Sequence, residues 1–261
     1  MMKHPTTWIL LRGLIRGQFH WHEFPKKLSA ARPDDQVICI DIPGNGERYS
    51  ENTPWSIGAI AKDMEEKIND LHIEHPVHLI SISMGAMIAT EIAASMQNKI
   101  ASLHLINTSF SNFNPPWQRM KLDAVAGLIP NLFSIEKRER AILKWTSNQQ
   151  DIEQYVPSWA TEARTNPLSF RNALAQLLGA ARYKAPKTAP ILRSFVYGAI
   201  SDRLVSHKCS LAIANKWQIP LAIHPTAGHD LPLDEPEWLI DMILGNVATI
   251  VDKSVDRQVS S

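Results

Sequence analysis

The sequence lacks most of what would mark a specialised class. Only two of its 261 residues are cysteine. Cys39 and Cys209 both sit in apolar surroundings, which speaks against a disulfide framework or a cysteine-based zinc site and leaves two small core hydrophobes. An excess of one charge is also missing. The 27 Lys and Arg against 26 Asp and Glu give a formal net charge of +1, so the total makes no case for a nucleic-acid partner. No apolar run reaches the roughly 18 residues of a membrane span, and no membrane partner is expected. The opening MMKHPTTWILLRG has neither a convincing apolar h-region nor a small-residue cleavage site, so a cytoplasmic protein is expected. Internal repeats and low-complexity segments are absent, and the polar tail DKSVDRQVSS is expected to fray. What is there is 44% hydrophobic and 20% charged, enough for one large domain or for one domain with an insertion.

Short β-type runs alternate with helical patterns. TWILL (7–11), QVICI (36–40), VHLIS (77–81) and SLHLIN (102–107) read as strands, with helices over about 20–31, 56–71 and 84–97. The runs are continuously apolar, which favours a parallel sheet buried on both faces. In the helix over 56–71, Ile57, Ile60, Ala61, Met64, Ile68 and Leu71 share one face behind a Ser56 N-cap. From about 111 to 188 the pattern is helical only, as in EKRERAILKWTSN (136–148) and PLSFRNALAQLLGAARY (167–183). Strands return at LRSFVY (192–197) and PLAIH (220–224), with helices near 207–217 and 236–250. The chain therefore divides into an α/β core, 1–110 and 189–261, and a helical cap, 111–188. An insertion of this kind usually lies over the C-terminal edge of the strands, where open α/β sheets bind ligands.

The junction VHLISISMGAMIATEIA (77–93) carries the chemistry. A serine hydroxyl becomes a nucleophile only when a base takes its proton and donors hold the oxyanion that follows. A sharp strand-to-helix turn exposes such a serine and aims the next backbone N–H at the developing charge; it also needs small residues two positions either side, here Ser81 and Gly85 around Ser83. The pattern alone arises by chance in about a quarter of chains this long, and the plain alternative is that Ser83 caps a helix. Its partners decide. His229, in TAGHDLPLDEPEWL, follows the last predicted strand, and Asp202, in VYGAISDRLV, follows the one before. All three side chains can thus converge on one sheet edge as nucleophile, base and orienting acid. Asp230 is the nearest rival acid, but adjoins His229 in sequence, where neighbours rarely orient each other. The loop LLRGLIRGQFHW supplies Gly13 and a second oxyanion donor, so the expected donors are the Leu14 and Met84 N–H groups. The HWH of 20–22 is read as Trp21 packing under this loop, with no metal expected.

Four motifs together, LLRGLIRGQFHW, DIPGNGER, SISMGA and GAISDRLV…AGHDLPLDEP, resemble the α/β-hydrolase superfamily. The resemblance implies a mostly parallel sheet of about six strands with helices on both faces and a helical cap. It implies a cofactor-free serine hydrolase with Ser83, Asp202 and His229 in the family's order. Spacing and cap resemble the small carboxylesterases that include the pimeloyl-acyl-carrier-protein methyl ester esterase. Meta-cleavage C–C hydrolases, cofactor-free perhydrolases and menaquinone-pathway synthase-like lyases have similar layouts. The sequence departs from the family at Arg12, where His is common, at Ser81, where Gly is usual, and at Ala86, where a second Gly is frequent. The family's N-terminal hairpin is also missing. Serine at 83 argues against haloalkane dehalogenases and epoxide hydrolases, which need aspartate there.

The expected activity is therefore carboxylester hydrolysis on a small or medium acyl ester. A C–C hydrolase or lyase is the alternative within the fold, for which Arg12 and Arg16 would meet a carboxylate, and a non-catalytic binding protein the alternative outside it. Arg12, Trp21, Phe133 and Trp159 are the candidate substrate contacts. For Arg12 a loop-tying structural role is the plainer reading. Most large apolar cap residues, among them Trp117, Met120, Leu128, Leu132, Trp145, Tyr155 and Phe170, should pack cap onto core, and a minority should line an acyl pocket. Residues 111–190 hold eleven Lys and Arg against six Asp and Glu. Lys137, Arg138, Arg140 and Lys144 lie on one helix. They form either a solvated face or a docking patch for an acidic acyl-carrier protein.

Overall fold

A computed structural model describes residues 5–131 and 134–259, with side chains to residue 248. Six parallel strands, β1 (Thr7–Leu11), β2 (Gln36–Ile40), β3 (Val77–Ile82), β4 (Ile100–Ile106), β5 (Ser194–Ala199) and β6 (Leu221–His224), form one sheet in the order β2-β1-β3-β4-β5-β6. The sheet pairs Leu11 with Ile40 and with Ser81, so the C-terminal ends of the strands finish along one edge. The chain leaves β1 for β2 on one side and then returns to the other side for β3. That reversal opens a crevice beyond the ends of β1 and β3, the place where open parallel sheets bind ligands.

Alternation along the strands builds two cores. Ile9, Leu11, Leu79, Leu103, Leu105 and Val196 pack on one face against α2 (Ile57–Asp70), α3 (Met84–Ser95) and α9 (Lys208–Trp217). Trp8, Leu10, Ile80, Ile82, Ile106 and Tyr197 pack on the other, against α1 (Phe24–Ala31) and α11 (Pro236–Val259). Successive side chains of a strand point to opposite faces, so a continuous apolar run is what a sheet covered on both sides demands. The edge strands β2 and β6 are only half-buried, because each lacks a neighbour on one side.

Local details differ from the sequence reading in two places. The first predicted helix is broken at His22, whose φ of 51° ends a 3-10 turn over Gln18–Trp21 before α1 begins. Leu71, assigned to the buried face of α2, is exposed, since the helix stops at Asp70 and Leu71 turns out into solvent. Ser56 does cap α2, accepting the Ala59 N–H at 3.2 Å. Between β4 and β5 the chain forms α4 (Pro116–Arg119), α5 (Leu122–Leu128), α6 (Ile135–Thr146), α7 (Val156–Thr165) and α8 (Phe170–Arg182), a helical segment without a described strand. No helix among the described residues is long and apolar enough to cross a membrane. Both thiols are buried deeply enough that desolvation pushes them up to about 12, so they are inert at neutral pH.

Beneath the sheet runs a buried polar chain. His78 Nδ1 meets the Ser102 hydroxyl at 2.5 Å, Ser102 meets His104 Nε2 at 2.7 Å, and His104 Nδ1 meets the Tyr197 hydroxyl at 2.9 Å. Trp8 stacks on His78 with ring centroids 4.2 Å apart. Burial disfavours the charged imidazolium. It holds His78 at about 4, against an ordinary 6.5, and His104 well below that ordinary value. A folded-state value below the unfolded one means the unfolded chain takes up the proton first as pH falls. The stabilisation is then complete above pH 6.5 and is lost between 6.5 and 4, by about 3 kcal/mol for His78 alone. Urea unfolding followed from pH 7.5 to 4.5 should show that loss, and His78→Leu should flatten the acid limb while lowering stability at pH 7.5.

Candidate active site

Ser83 stands alone between β3 and α3, with φ 57° and ψ −121°. Positive φ is uncommon for a residue with a Cβ and is kept only where the surroundings over-determine it. Three contacts do so here. The Ser83 N–H donates to the Ile106 carbonyl at 2.9 Å, the Ser83 carbonyl accepts from the Thr108 hydroxyl at 2.8 Å, and the next turn is jammed against the end of β1. A Cβ on Gly85 would lie 2.4 Å from the Arg12 carbonyl oxygen and 2.5 Å from that of Leu11, so glycine is required there by contact. Ser81 fits the place usually held by glycine because it is fully buried and its hydroxyl donates to the His104 carbonyl at 3.1 Å. The Ser83 side chain makes no capping hydrogen bond to α3, so it is not serving as an ordinary N-cap.

The loop after β1 folds onto this turn. A Cβ on Gly13 would lie 2.9 Å from the Ser83 Cβ and 3.5 Å from the Met84 nitrogen, which brings the Leu14 and Met84 backbones to the same end of the crevice. Neither the Leu14 nor the Met84 N–H reaches an acceptor among the described residues. The Arg16 N–H donates to the Gly13 carbonyl at 3.3 Å and closes a turn.

From the other side come the loops after β5 and β6. Buried Asp202 accepts the Leu204 and Val205 N–H groups on Oδ1, each at 2.8 Å, and meets His229 Nδ1 with Oδ2 at 2.7 Å. A carboxylate with these neighbours accepts only, so Nδ1 of His229 carries the proton and Nε2 is left as the basic nitrogen. His229 and Ser83 line one cavity of about 310 Å³. Asn107, just past β4, has φ 44° and donates from its amide to the Gly228 and His229 carbonyls at 3.2 and 2.8 Å. Sequence analysis placed this residue at the end of the run SLHLIN and assigned it no role. The available signal was an asparagine at a strand end, where it tolerates positive φ and can brace a neighbouring loop.

Asp230, the rival acid, is occupied elsewhere. It forms a buried bidentate pair with Arg12, at 2.9 and 2.6 Å. The Arg12 guanidinium also lies 5.0 Å from the Trp21 ring. Arg16 pairs with buried Glu139 of α6 at 2.7 Å and lies 4.8 Å from the Trp159 ring. Both arginine charges are therefore met by carboxylates before any ligand arrives.

Two candidate substrate contacts need correction. Trp21 and Trp159 do not line the cavity. Trp21 stacks on Phe24 within the core beneath the loop, and Trp159 packs with Leu143, Val156 and Leu233. Phe133 and its neighbour Leu132 lie outside the described residues. The cavity wall is instead built from Met87 of α3, Leu204 and Val205, and the cap residues Met120, Leu128, Ile142, Trp145 and Leu177. Trp117 and Phe170, expected to help pack the cap, are exposed. His20 is held by the Gly17 backbone and the Arg16 guanidinium, and burial, then Arg16 and Arg12, keeps it well below its ordinary value and neutral. The described residues contain no cluster of three or more His, Cys, Asp or Glu suited to a metal.

A family model described as the alpha/beta hydrolase family matches residues 9–242. The chain belongs to the alpha/beta hydrolase family. Among solved structures, an esterase from Exiguobacterium antarcticum superposes with a TM-score of 0.75 over 95% of this chain and 93% of that chain, at 14% identity. The 2-hydroxy-6-oxo-6-phenylhexa-2,4-dienoate hydrolase of Rhodococcus strain RHA1 gives 0.73 over 93% and 90%, at 19% identity. A monoacylglycerol lipase of Mus musculus is 28% identical over 123 residues, 45% of this chain and 36% of the relative.

The Arg12–Asp230 pair generates a prediction. Asp230→Asn leaves a buried guanidinium without its countercharge, and should cost about 3 kcal/mol or more in urea unfolding. The His229–Asp202 contact does not involve the altered group.

Proposed function

We propose that this hydrolase is a serine carboxylesterase acting on small to medium uncharged acyl esters. The observation that carries the reading is the His229 imidazole, fixed in tautomer by Asp202 at 2.7 Å and sharing a cavity wall with a serine held at φ 57°. In this mechanism Ser83 Oγ attacks the ester carbonyl while His229 Nε2 takes its proton. The Leu14 and Met84 N–H groups hold the oxyanion. His229 then delivers the proton to the departing alcohol, and Asp202 stabilises the imidazolium formed in between. Water attacks the acyl-enzyme by the same route, with His229 as base, and frees the acid and Ser83. These steps use side chains and backbone alone.

The cavity supports an apolar, uncharged acyl chain. Its wall is mostly aliphatic and aromatic, and its volume of about 310 Å³ lies at the small end of the roughly 300–1,000 Å³ usual for ligand sites. Of the three arginines in the wall, Arg12 and Arg16 are already paired with Asp230 and Glu139, and Arg119 donates to the Ala180 and Ala181 carbonyls. The esterase among the structural neighbours fits the ester reading.

A panel of p-nitrophenyl esters should show highest kcat/KM at short to medium chain length, and a fluorophosphonate probe should label the protein at Ser83. Ser83→Ala should abolish both, and Asp202→Asn should lower kcat by about 10⁴-fold, since it leaves the imidazole in the wrong tautomer. An unlabelled wild-type protein at neutral pH would sink the proposal in favour of a binding role.

Docking of an acidic acyl-carrier protein on α6 is a separate part of the proposal. Arg140 is engaged by Glu153, whereas Glu139 is shared between buried Arg16 and Arg138, so Lys137, Lys144 and an only partly compensated Arg138 carry the surface charge there. Carrier-bound acyl methyl esters should be hydrolysed faster than free ones at low salt, with the advantage lost as salt screens the lysines. Equal, salt-independent rates would remove the carrier.

A further inference from the structure

The turn over residues 13–16 is held in an unfavourable shape from outside the core. Ile15 has φ 55°, whereas Leu14 is not among the residues of positive φ. With the Arg16 N–H bonded to the Gly13 carbonyl, this is a type II turn, which asks for glycine at the place Ile15 occupies. A β-branched residue there is strained, and left alone it would relax by flipping the peptide between Leu14 and Ile15. One side chain opposes that flip. Gln176, fully buried on α8, accepts the Ile15 N–H on Oε1 at 2.8 Å. Its own amide is fixed in turn, Nε2 donating to Asn45 Oδ1 at 2.7 Å and to the Thr53 hydroxyl at 3.3 Å. The Asn45 amide then donates to the Arg16 carbonyl at 3.0 Å, so the turn is gripped at both of its last two residues.

We propose that Gln176 is a positioning residue for the reaction. By holding the Ile15 N–H and, through Asn45, the Arg16 carbonyl, it fixes the whole turn whose preceding Gly13–Leu14 peptide carries the Leu14 N–H at the Ser83 end of the cavity, and because it belongs to a cap helix, the oxyanion site is complete only when the cap is seated. The inference rests on the esterase reading above and on Leu14 as an oxyanion donor. The Arg16–Glu139 pair, from α6, is a second tie between the same turn and the cap.

The test compares wild type, Gln176→Met and the double variant Gln176→Met/Ile15→Gly. Methionine keeps the bulk and removes the acceptor. Glycine adopts φ near 55° without strain, so it should let the turn hold its shape unaided. Gln176→Met should lower kcat on a p-nitrophenyl ester by about 10²-fold, with KM changed less than threefold and fluorophosphonate inactivation slowed in proportion to kcat. Ile15→Gly should restore at least tenfold of that loss. A kcat within threefold of wild type, or a loss that glycine does not rescue, overturns the inference while leaving a labelled wild-type enzyme, and so the esterase reading, intact. Wild type that fails to label overturns the reading itself.

A measurement on the unaltered protein covers the case in which Gln176→Met does not fold. Hydrogen exchange at the Ile15 amide should be protected to the same degree as the amides of α8, because both open together when the cap lifts. Exchange at Ile15 many times faster than in α8 would overturn the inference.

Discussion

The structure turns on the collision avoided at Gly85. Helix α3 begins so close to the end of β1 that a single Cβ would strike two carbonyl oxygens. That closeness forces the chain through positive φ at Ser83, and it brings the Gly13–Leu14 backbone against Met84. The proposed nucleophile and oxyanion donors are therefore products of one packing constraint between the first and third strands. The strain is of order 1–3 kcal/mol and is offset by the hydrogen bonds from Ser83 to Ile106 and from Thr108 to Ser83. It persists because the strands on either side are buried on both faces and cannot shift.

A second constraint explains how loops from strand ends far apart in sequence stay in register. The segment just after α6 stitches them together. Asp234 accepts from the Ser147 hydroxyl, the Asn148 N–H and the Gly228 N–H, and the Asn148 amide donates to the Ser201 and Thr226 carbonyls. The Asp230 N–H reaches the Thr146 carbonyl at 2.7 Å, and Arg203 donates to the Ser147 carbonyl. The acid loop and the base loop thus share a clamp that belongs to the cap. Gln176 and Glu139 give the loop after β1 the same kind of anchor on α8 and α6. The cap therefore does more than roof the cavity: it fixes the loops whose side chains face it.

Much of this was legible in the sequence, for definite reasons. Strands buried on both faces read as continuous apolar runs, so all six were visible to within two residues at their ends. The placement of Ser83, Asp202 and His229 just past strand ends was legible from the strand pattern, and their proposed roles from the chemical set that the types form. The sequence could not reveal where long polar side chains reach. Gln176 and Asn107 are ordinary residues in a helix and a loop, and they matter only through acceptors and donors more than 100 positions away. Trp21 and Trp159 failed as substrate contacts for the same reason. Aromatic character marks a residue as buried, but which apolar surface it meets is decided by tertiary packing, here Phe24 for one and Leu143 for the other. The 3-10 break at His22 had a signal that went unused, since Pro25 sits in the first turn of α1 and marks a helix that starts there.

Arg12 shows how a departure from a family pattern is absorbed. A guanidinium at the start of the oxyanion loop would, if unpaired, impose a full positive charge beside the reacting carbonyl and a large desolvation cost. Asp230 cancels it in a two-bond fork, and the Trp21 face takes up part of the remaining surface. The pair is therefore locally neutral, and it links the loop after β1 directly to the residue after His229. In the proposed mechanism this leaves the stabilisation of an oxyanion to the oriented N–H groups of Leu14 and Met84, whose partial charges need no reorganisation when the negative charge develops. It also means that Arg12 and Asp230 act as a unit. Either alone would be a buried uncompensated charge, whereas together they tie the loop after β1 to the loop after β6 through a side-chain ion pair.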